Sequence, residues 1–166
     1  MNFPFGSKSR RYLQAMLNNE PDAVAVIKGD SAHKNLKGTV AFFQLPEGVL
    51  VRFEVSGLPE KKDKCSNSVF GFHIHEGKSC TGNAEDPFAD AKAHYNPTNC
   101  PHPEHAGDLQ PLFANNGFAW GSFLTNRFKV EEVLGRTVIV HGSADDFHTQ
   151  PSGDSGMKIG CGIIRR

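Results

Sequence analysis

Apolar and polar positions alternate along most of the chain from residue 23 onward. Residues 23–28 (AVAVIK), 36–44 (LKGTVAFFQ) and 48–55 (GVLVRFEV) read as three strands. Turn residues separate them, Lys28-Gly29-Asp30-Ser31 and Leu45-Pro46-Glu47-Gly48. Residues 68–75 (SVFGFHIH) predict a fourth strand, and 118–124 (FAWGSFL), entered through an Asn116-Gly117 turn, a fifth. Residues 136–141 (RTVIVH) and 158–164 (KIGCGII) complete seven. Many short strands with little helix predict an antiparallel sandwich or barrel. Residues 1–22 stand apart as an amino-terminal extension. Positions 9–19 have a helical pattern that would dock on the 23–166 domain, and a disordered arm is the other reading. Two long irregular segments remain, 76–111 and 142–157. Long loops in a compact domain are commonly functional or disordered.

Composition narrows the field. A chain of 166 residues suits one domain. Lys and Arg number 18, as do Asp and Glu, so there is no surplus of positive charge for a nucleic-acid partner. With 38% hydrophobic and 22% charged residues, the sequence is globular in type. No apolar run approaches the roughly 20 residues of a membrane helix, so no membrane partner is expected. Arg10 and Arg11 precede a stretch too short and polar for a signal-peptide core, which makes the cytoplasm the default compartment. Four cysteines sit uneasily with that, because persistent disulfides are rare in a reducing cytosol.

The eight histidines carry the chemical information. His73-Ile74-His75 on a strand puts both imidazoles on one face, where they can chelate one ion. His94, His102, His105 and Asp108 fall within fifteen residues and form a candidate tetrahedral zinc set, the alternative being solvated loop histidines. His141 ends an apolar strand, where a satisfied core histidine is the bland alternative. Asp145 and Asp146 follow closely and could hydrogen-bond the second nitrogen of a ligating histidine. Imidazole suits copper, whereas imidazole with carboxylate suits zinc.

These blocks resemble the copper/zinc superoxide dismutase family. The resemblance rests on Gly71-Phe72-His73-Ile74-His75-Glu76, Ala93-His94-Tyr95-Asn96-Pro97 and His105-Ala106-Gly107-Asp108-Leu109. It continues through Val140-His141-Gly142-Ser143-Ala144-Asp145-Asp146 and Gly160-Cys161-Gly162-Ile163-Ile164, with Val55-Ser56-Gly57-Leu58-Pro59 ahead of the first ligand pair. The blocks keep the family's order from about residue 22 to the end. The family implies an eight-stranded Greek-key barrel, one strand more than the pattern gives. It implies copper held by His73, His75, His94 and His141, and zinc held by His94, His102, His105 and Asp108, so that His94 bridges the two metals. Asp145 would link a copper histidine to a zinc histidine through its two oxygens. Cys80 and Cys161 match the family's disulfide as it looks in bacterial members. Family members are often dimers, so a homodimer is a further expectation.

Several positions depart from the family. Lys158 stands where the family has an arginine beside copper, keeping the charge but losing the planar fork. Only Pro103 and Glu104 separate His102 from His105, and the loop before Lys158 looks trimmed. Cys65 and Cys100 have no family counterpart. The resemblance implies disproportionation of superoxide to dioxygen and hydrogen peroxide, with Lys158 attracting the anion and His94 handling a proton. The alternative is a non-enzymatic relative that only binds zinc or copper. A zinc-finger-like module is disfavoured, because the cysteines lack C-x₂₋₄-C spacing.

Overall fold

The computed structural model describes residues 6–60 and 68–166. Cys65 therefore lies outside the described residues. In chain order the elements are α1 (Ser7–Asn18), β1 (Ala23–Gly29), β2 (Lys37–Leu45), β3 (Gly48–Ser56), β4 (Val69–Phe70), β5 (Phe72–His75), β6 (Leu112–Phe113), β7 (Phe118–Thr125), α2 (Val130–Val133), β8 (Thr137–His141) and β9 (Lys158–Arg165). Seven strands form one antiparallel sheet in the order β5-β8-β9-β1-β2-β3-β7, and β4 pairs with β6 beside it.

Two expectations need correction. Residues 68–75 are not one strand: the segment breaks at Gly71, so β4 joins β6 while β5 joins β8. Gly71 N–H donates to the Ser143 carbonyl, and its carbonyl accepts from His141 N–H, which takes this residue out of the ladder. The strand count is also low, because β6 is only two residues long and follows Pro111, leaving no periodicity to read. The Asn116-Gly117 turn is as expected. Both residues have positive φ, 50° and 71°, which suits the twist of a tight hairpin, and Asn115 bridges Phe118.

The alternation places Phe42, Val51, Phe53, Phe72, Ile74 and Phe123 inside one continuous core. The sheet curls strongly enough that Phe53 of β3 meets Phe72 of β5, near opposite ends of the strand order, with ring centroids 5.8 Å apart. β2 reads as an unbroken apolar run, Val40 to Phe43, because both of its faces are covered. Val40 and Phe42 enter the core. Ala41 and Phe43 face outward under α1, against Tyr12, Ala15 and Met16 on one stripe of that helix. Arg52 fixes the helix end by donating from Nη1 to the Met16 carbonyl at 2.8 Å.

Candidate metal centre

β5 carries His73 and His75 with Ile74 between them. Ile74 enters the core, so period two sends both imidazoles to the outer face of the curled sheet. There the two long loops cover them. The free edge of β5 is satisfied by the first loop: Ile74 N–H donates to the Gly107 carbonyl, while Tyr95 N–H donates to the Ile74 carbonyl. Isolated bridges pair His75 with His94 and His73 with Asp108. This strand-like docking brings His94 and Asp108 beside the H-x-H pair. His141 arrives at the end of β8, where a bulge interrupts the pairing with β9, and its ladder partner is Lys158.

The histidines predicted for the site form two adjoining clusters. The ligand atoms of His73, His75, His94 and His141 lie within 4.8 Å of one another, as do those of His94, His102, His105 and Asp108. His94 belongs to both. Every histidine in the two clusters is buried, none above 6% exposure. His33 and His148 belong to neither cluster; His33 pairs with Asp30 instead.

Hydrogen bonds determine which ring nitrogen remains available. His75 Nδ1 is 2.8 Å from the Lys92 carbonyl, and His141 Nδ1 is 3.1 Å from the Gly156 carbonyl. A carbonyl only accepts, so both Nδ1 atoms carry the proton and both Nε2 atoms are bare. These two bare nitrogens face each other 3.3 Å apart, where two lone pairs cannot bond each other. His73 donates from Nε2 to Asp145 Oδ2 at 2.7 Å, which leaves its buried Nδ1 without a hydrogen-bond partner. His94 Nε2 is likewise buried and unpartnered. Four convergent lone pairs with no donor among them fit a cation, and an all-imidazole set suits copper.

The second cluster follows the same logic. His102 donates from Nε2 to Asp145 Oδ1 at 2.9 Å. Its Nδ1 then lies 2.9 Å from Asp108 Oδ2, close to it but not in hydrogen-bond geometry. His94 Nδ1 sits 2.7 Å from Asp108 Oδ1 and His105 Nδ1 sits 3.2 Å from Asp108 Oδ2. Three imidazole nitrogens gathered on one carboxylate fit zinc. Asp145 spans both clusters, as the two-oxygen link requires.

Burial, joined by neighbouring imidazoles, keeps His73, His75 and His141 neutral. It brings His73 down to about 4, despite the opposing pull of Asp145, and His141 down to about 3. His75 is held well below its ordinary value by burial first, then by His141 and His94. For Asp145, burial pushes upward, but hydrogen bonds from His73, Phe147 N–H and His102 outweigh it and bring the carboxyl down to about 2. Neutral imidazole and ionised carboxylate are the metal-binding forms.

A cavity of about 730 Å³ opens onto His75, His94 and His141, and Lys158 lines it. The Lys158 ammonium is ion-paired with Asp86, a residue the sequence pattern did not single out. The disulfide joins Cys80 to Cys161 across 81 residues of sequence. Cys100 is a free thiol and belongs to neither cluster.

Three other residues hold the site without a sequence signal that marks them. Arg127 donates from Nη1 to the carbonyls of Pro103 at 2.7 Å and His105 at 3.1 Å. Gln150 ties the second loop to the first through Nε2 to the His102 carbonyl and Oε1 from the His102 N–H. Gly153 has φ +70°, and a Cβ there would meet Asp145 Oδ1 at 2.0 Å, so no side chain fits behind the carboxylate.

The sequence profile described as copper/zinc superoxide dismutase (SODC) matches residues 36–164. The copper–zinc superoxide dismutase of Deinococcus radiodurans is 34% identical over 146 residues, covering 77% of this chain and 76% of the relative. That of Neurospora crassa is 33% identical over 160 residues, covering 86% and 96%. Among solved structures, the Cu/Zn superoxide dismutase from Brucella abortus superposes with a TM-score of 0.70 at 26% identity, over 86% of this chain and 99% of that one. With the profile spanning most of the domain and two histidine clusters sharing one ring, the chain belongs to the copper/zinc superoxide dismutase family.

Proposed function

We propose that the protein disproportionates superoxide, converting two superoxide ions and two protons into dioxygen and hydrogen peroxide. The observation that carries this is the convergence of four bare imidazole nitrogens beside an open cavity, joined through His94 to a second cluster. In this reading His73, His75, His94 and His141 hold copper, and His94, His102, His105 and Asp108 hold zinc. Bound copper supplies one-electron redox chemistry, which zinc lacks.

The remaining work falls to the chain. His75 and His141 are aimed by the Lys92 and Gly156 carbonyls. Asp145 fixes the tautomers of His73 and His102 at once. His94 lines the cavity, and its Nε2 is where a proton is held for transfer to the peroxide product. The loops exclude water from His73, which is fully buried, while the cavity admits a small anion to the other rings. Lys158 supplies positive charge at that opening. The formal net charge of the chain is zero, so attraction of the anion depends on local charges of this kind.

The test is metal analysis and a superoxide-consumption assay on protein reconstituted with copper and zinc. One copper and one zinc per chain with catalytic turnover is the expected result. Stoichiometric metal binding without superoxide consumption would make the chain a metal-binding relative without dismutase activity.

A further inference from the structure

We propose that Asp86 is a positioning residue for the anion path, acting through Lys158. It holds the ammonium group and offsets its charge, so that it lowers the affinity of the site for small anions. The proposal deepens the reading of Lys158 given above and rests on it.

Asp86 sits in the loop between Cys80 and His94, well away from Lys158 in sequence. The loop holds it firmly. Asn83 Oδ1 accepts from the N–H groups of Glu85 and Asp86, both at 2.9 Å, forming a turn. The Asp86 carbonyl accepts from Asn83 and Ala89, and its Oδ1 accepts from Phe88 N–H at 3.0 Å. Phe88 is in turn buried against Ile139 and the Cys80–Cys161 bridge, which anchors the turn to the sheet. Only Oδ2 is left to face the cavity, and it takes the Lys158 ammonium.

Lys158 reaches this carboxylate from β9, opposite His141, with only 16% of its side chain exposed. A lysine stem is flexible and its ammonium is a point charge, so its direction depends on its partner. Here the partner is an anion fixed by backbone. Glu76 and Glu85 also line the cavity, against Lys92 as the other cation, so acidic side chains outnumber basic ones where an anion enters. Neutralising Asp86 therefore removes an opposing charge and frees the lysine.

The test uses the copper- and zinc-loaded protein and azide as the anion probe, followed by its charge-transfer absorption. Asp86→Asn should tighten azide binding about five- to tenfold, most of it from the released ammonium turning to the anion and the rest from the opposing charge removed. Lys158→Ala should weaken it by a similar factor. In the Lys158→Ala background, Asp86→Asn should tighten azide clearly less, by about twofold, because only the carboxylate's own repulsion is then left to remove. A readout independent of metal is acetylation of Lys158 in the metal-free protein, measured by peptide mass spectrometry. Asp86→Asn should accelerate it about threefold or more, as release from the pair exposes the amine. If Lys158→Ala leaves azide affinity unchanged, the reading of Lys158 itself fails. If Lys158→Ala weakens azide but Asp86→Asn does not tighten it, or tightens it equally with and without Lys158, the proposal for Asp86 is overturned and the reading of Lys158 stands.

Discussion

At the scale of single residues, the site is a set of nitrogens sorted by what their opposite ring nitrogens do. His75 and His141 spend Nδ1 on backbone carbonyls, and His73 spends Nε2 on Asp145, so the remaining nitrogens point at one volume. His141 comes from β8 and belongs to the first cluster alone. In the proposed assignment His141→Ala should lose copper and keep zinc, which metal analysis after dialysis against both ions would read. Equal loss of both would mean the clusters do not bind separately. Much of this was legible in the sequence. H-x-H on an alternating strand predicts two imidazoles on one face, and the clustering of His94, His102, His105 and Asp108 marks a second set. The parts that were not legible are backbone partners. Lys92 and Gly156 contribute carbonyl oxygens, and a carbonyl leaves no trace in residue identity.

At the scale of elements, the loops matter more than the strands. Residues 76–111 would be poorly constrained by their own sequence, and attachments to the rest of the chain fix them. The Cys80–Cys161 bridge closes a span of 81 residues, worth about 4–5 kcal/mol by loop-closure entropy. The edge of β5 docks two stretches of the loop. Arg127, from the segment between β7 and α2, grips its far end through carbonyls. Arg127→Ala should weaken zinc affinity by about ten- to a hundredfold, the usual scale for residues that orient ligands, while copper content at saturating metal stays intact. Competition with a chromophoric chelator measures this; an unchanged zinc affinity would show that the β5 docking suffices. The amino-terminal helix has a different role. Removing residues 1–20 uncovers Ala41, Phe43 and Leu50, and should cost about 3 kcal/mol in urea unfolding while leaving metal content unchanged. A truncated protein of full stability would mean that α1 contributes no net packing energy. The pattern of residues 9–19 signalled a helix, and α1 occupies Ser7–Asn18. The break at Gly71 was illegible because apolar residues continue on both sides of it and only the pairing partner changes.

At the scale of the whole molecule, the core and the histidine clusters are separate in space. The core lies inside the curled sheet and the histidine clusters lie outside it, so metal-free protein should keep its sheet at neutral pH. Its stability should nevertheless depend on acid. His73 and His141 titrate near 4 and 3 when folded, and His75 also lies well below 6.5, the ordinary value at which all three titrate once unfolded. Between those limits the unfolded chain binds more protons, so stability must fall as pH drops from about 6.5 toward 4. Urea midpoints of the metal-free protein at pH 7.5 and 5 test this. A midpoint at pH 5 equal to or above that at pH 7.5 would mean that these rings are not neutral in the fold.

One carboxylate, Asp145, hydrogen-bonds a ring from each cluster, and one ring, His94, belongs to both. In the proposed assignment, the two metal equilibria therefore cannot be independent. Ordering Asp145 and His94 for one ion is work already done when the second arrives. Thermodynamic reciprocity then applies: whatever factor zinc lends to copper affinity, copper returns to zinc. A cell that supplies only one metal would thus obtain a weaker site for that metal than a cell that supplies both.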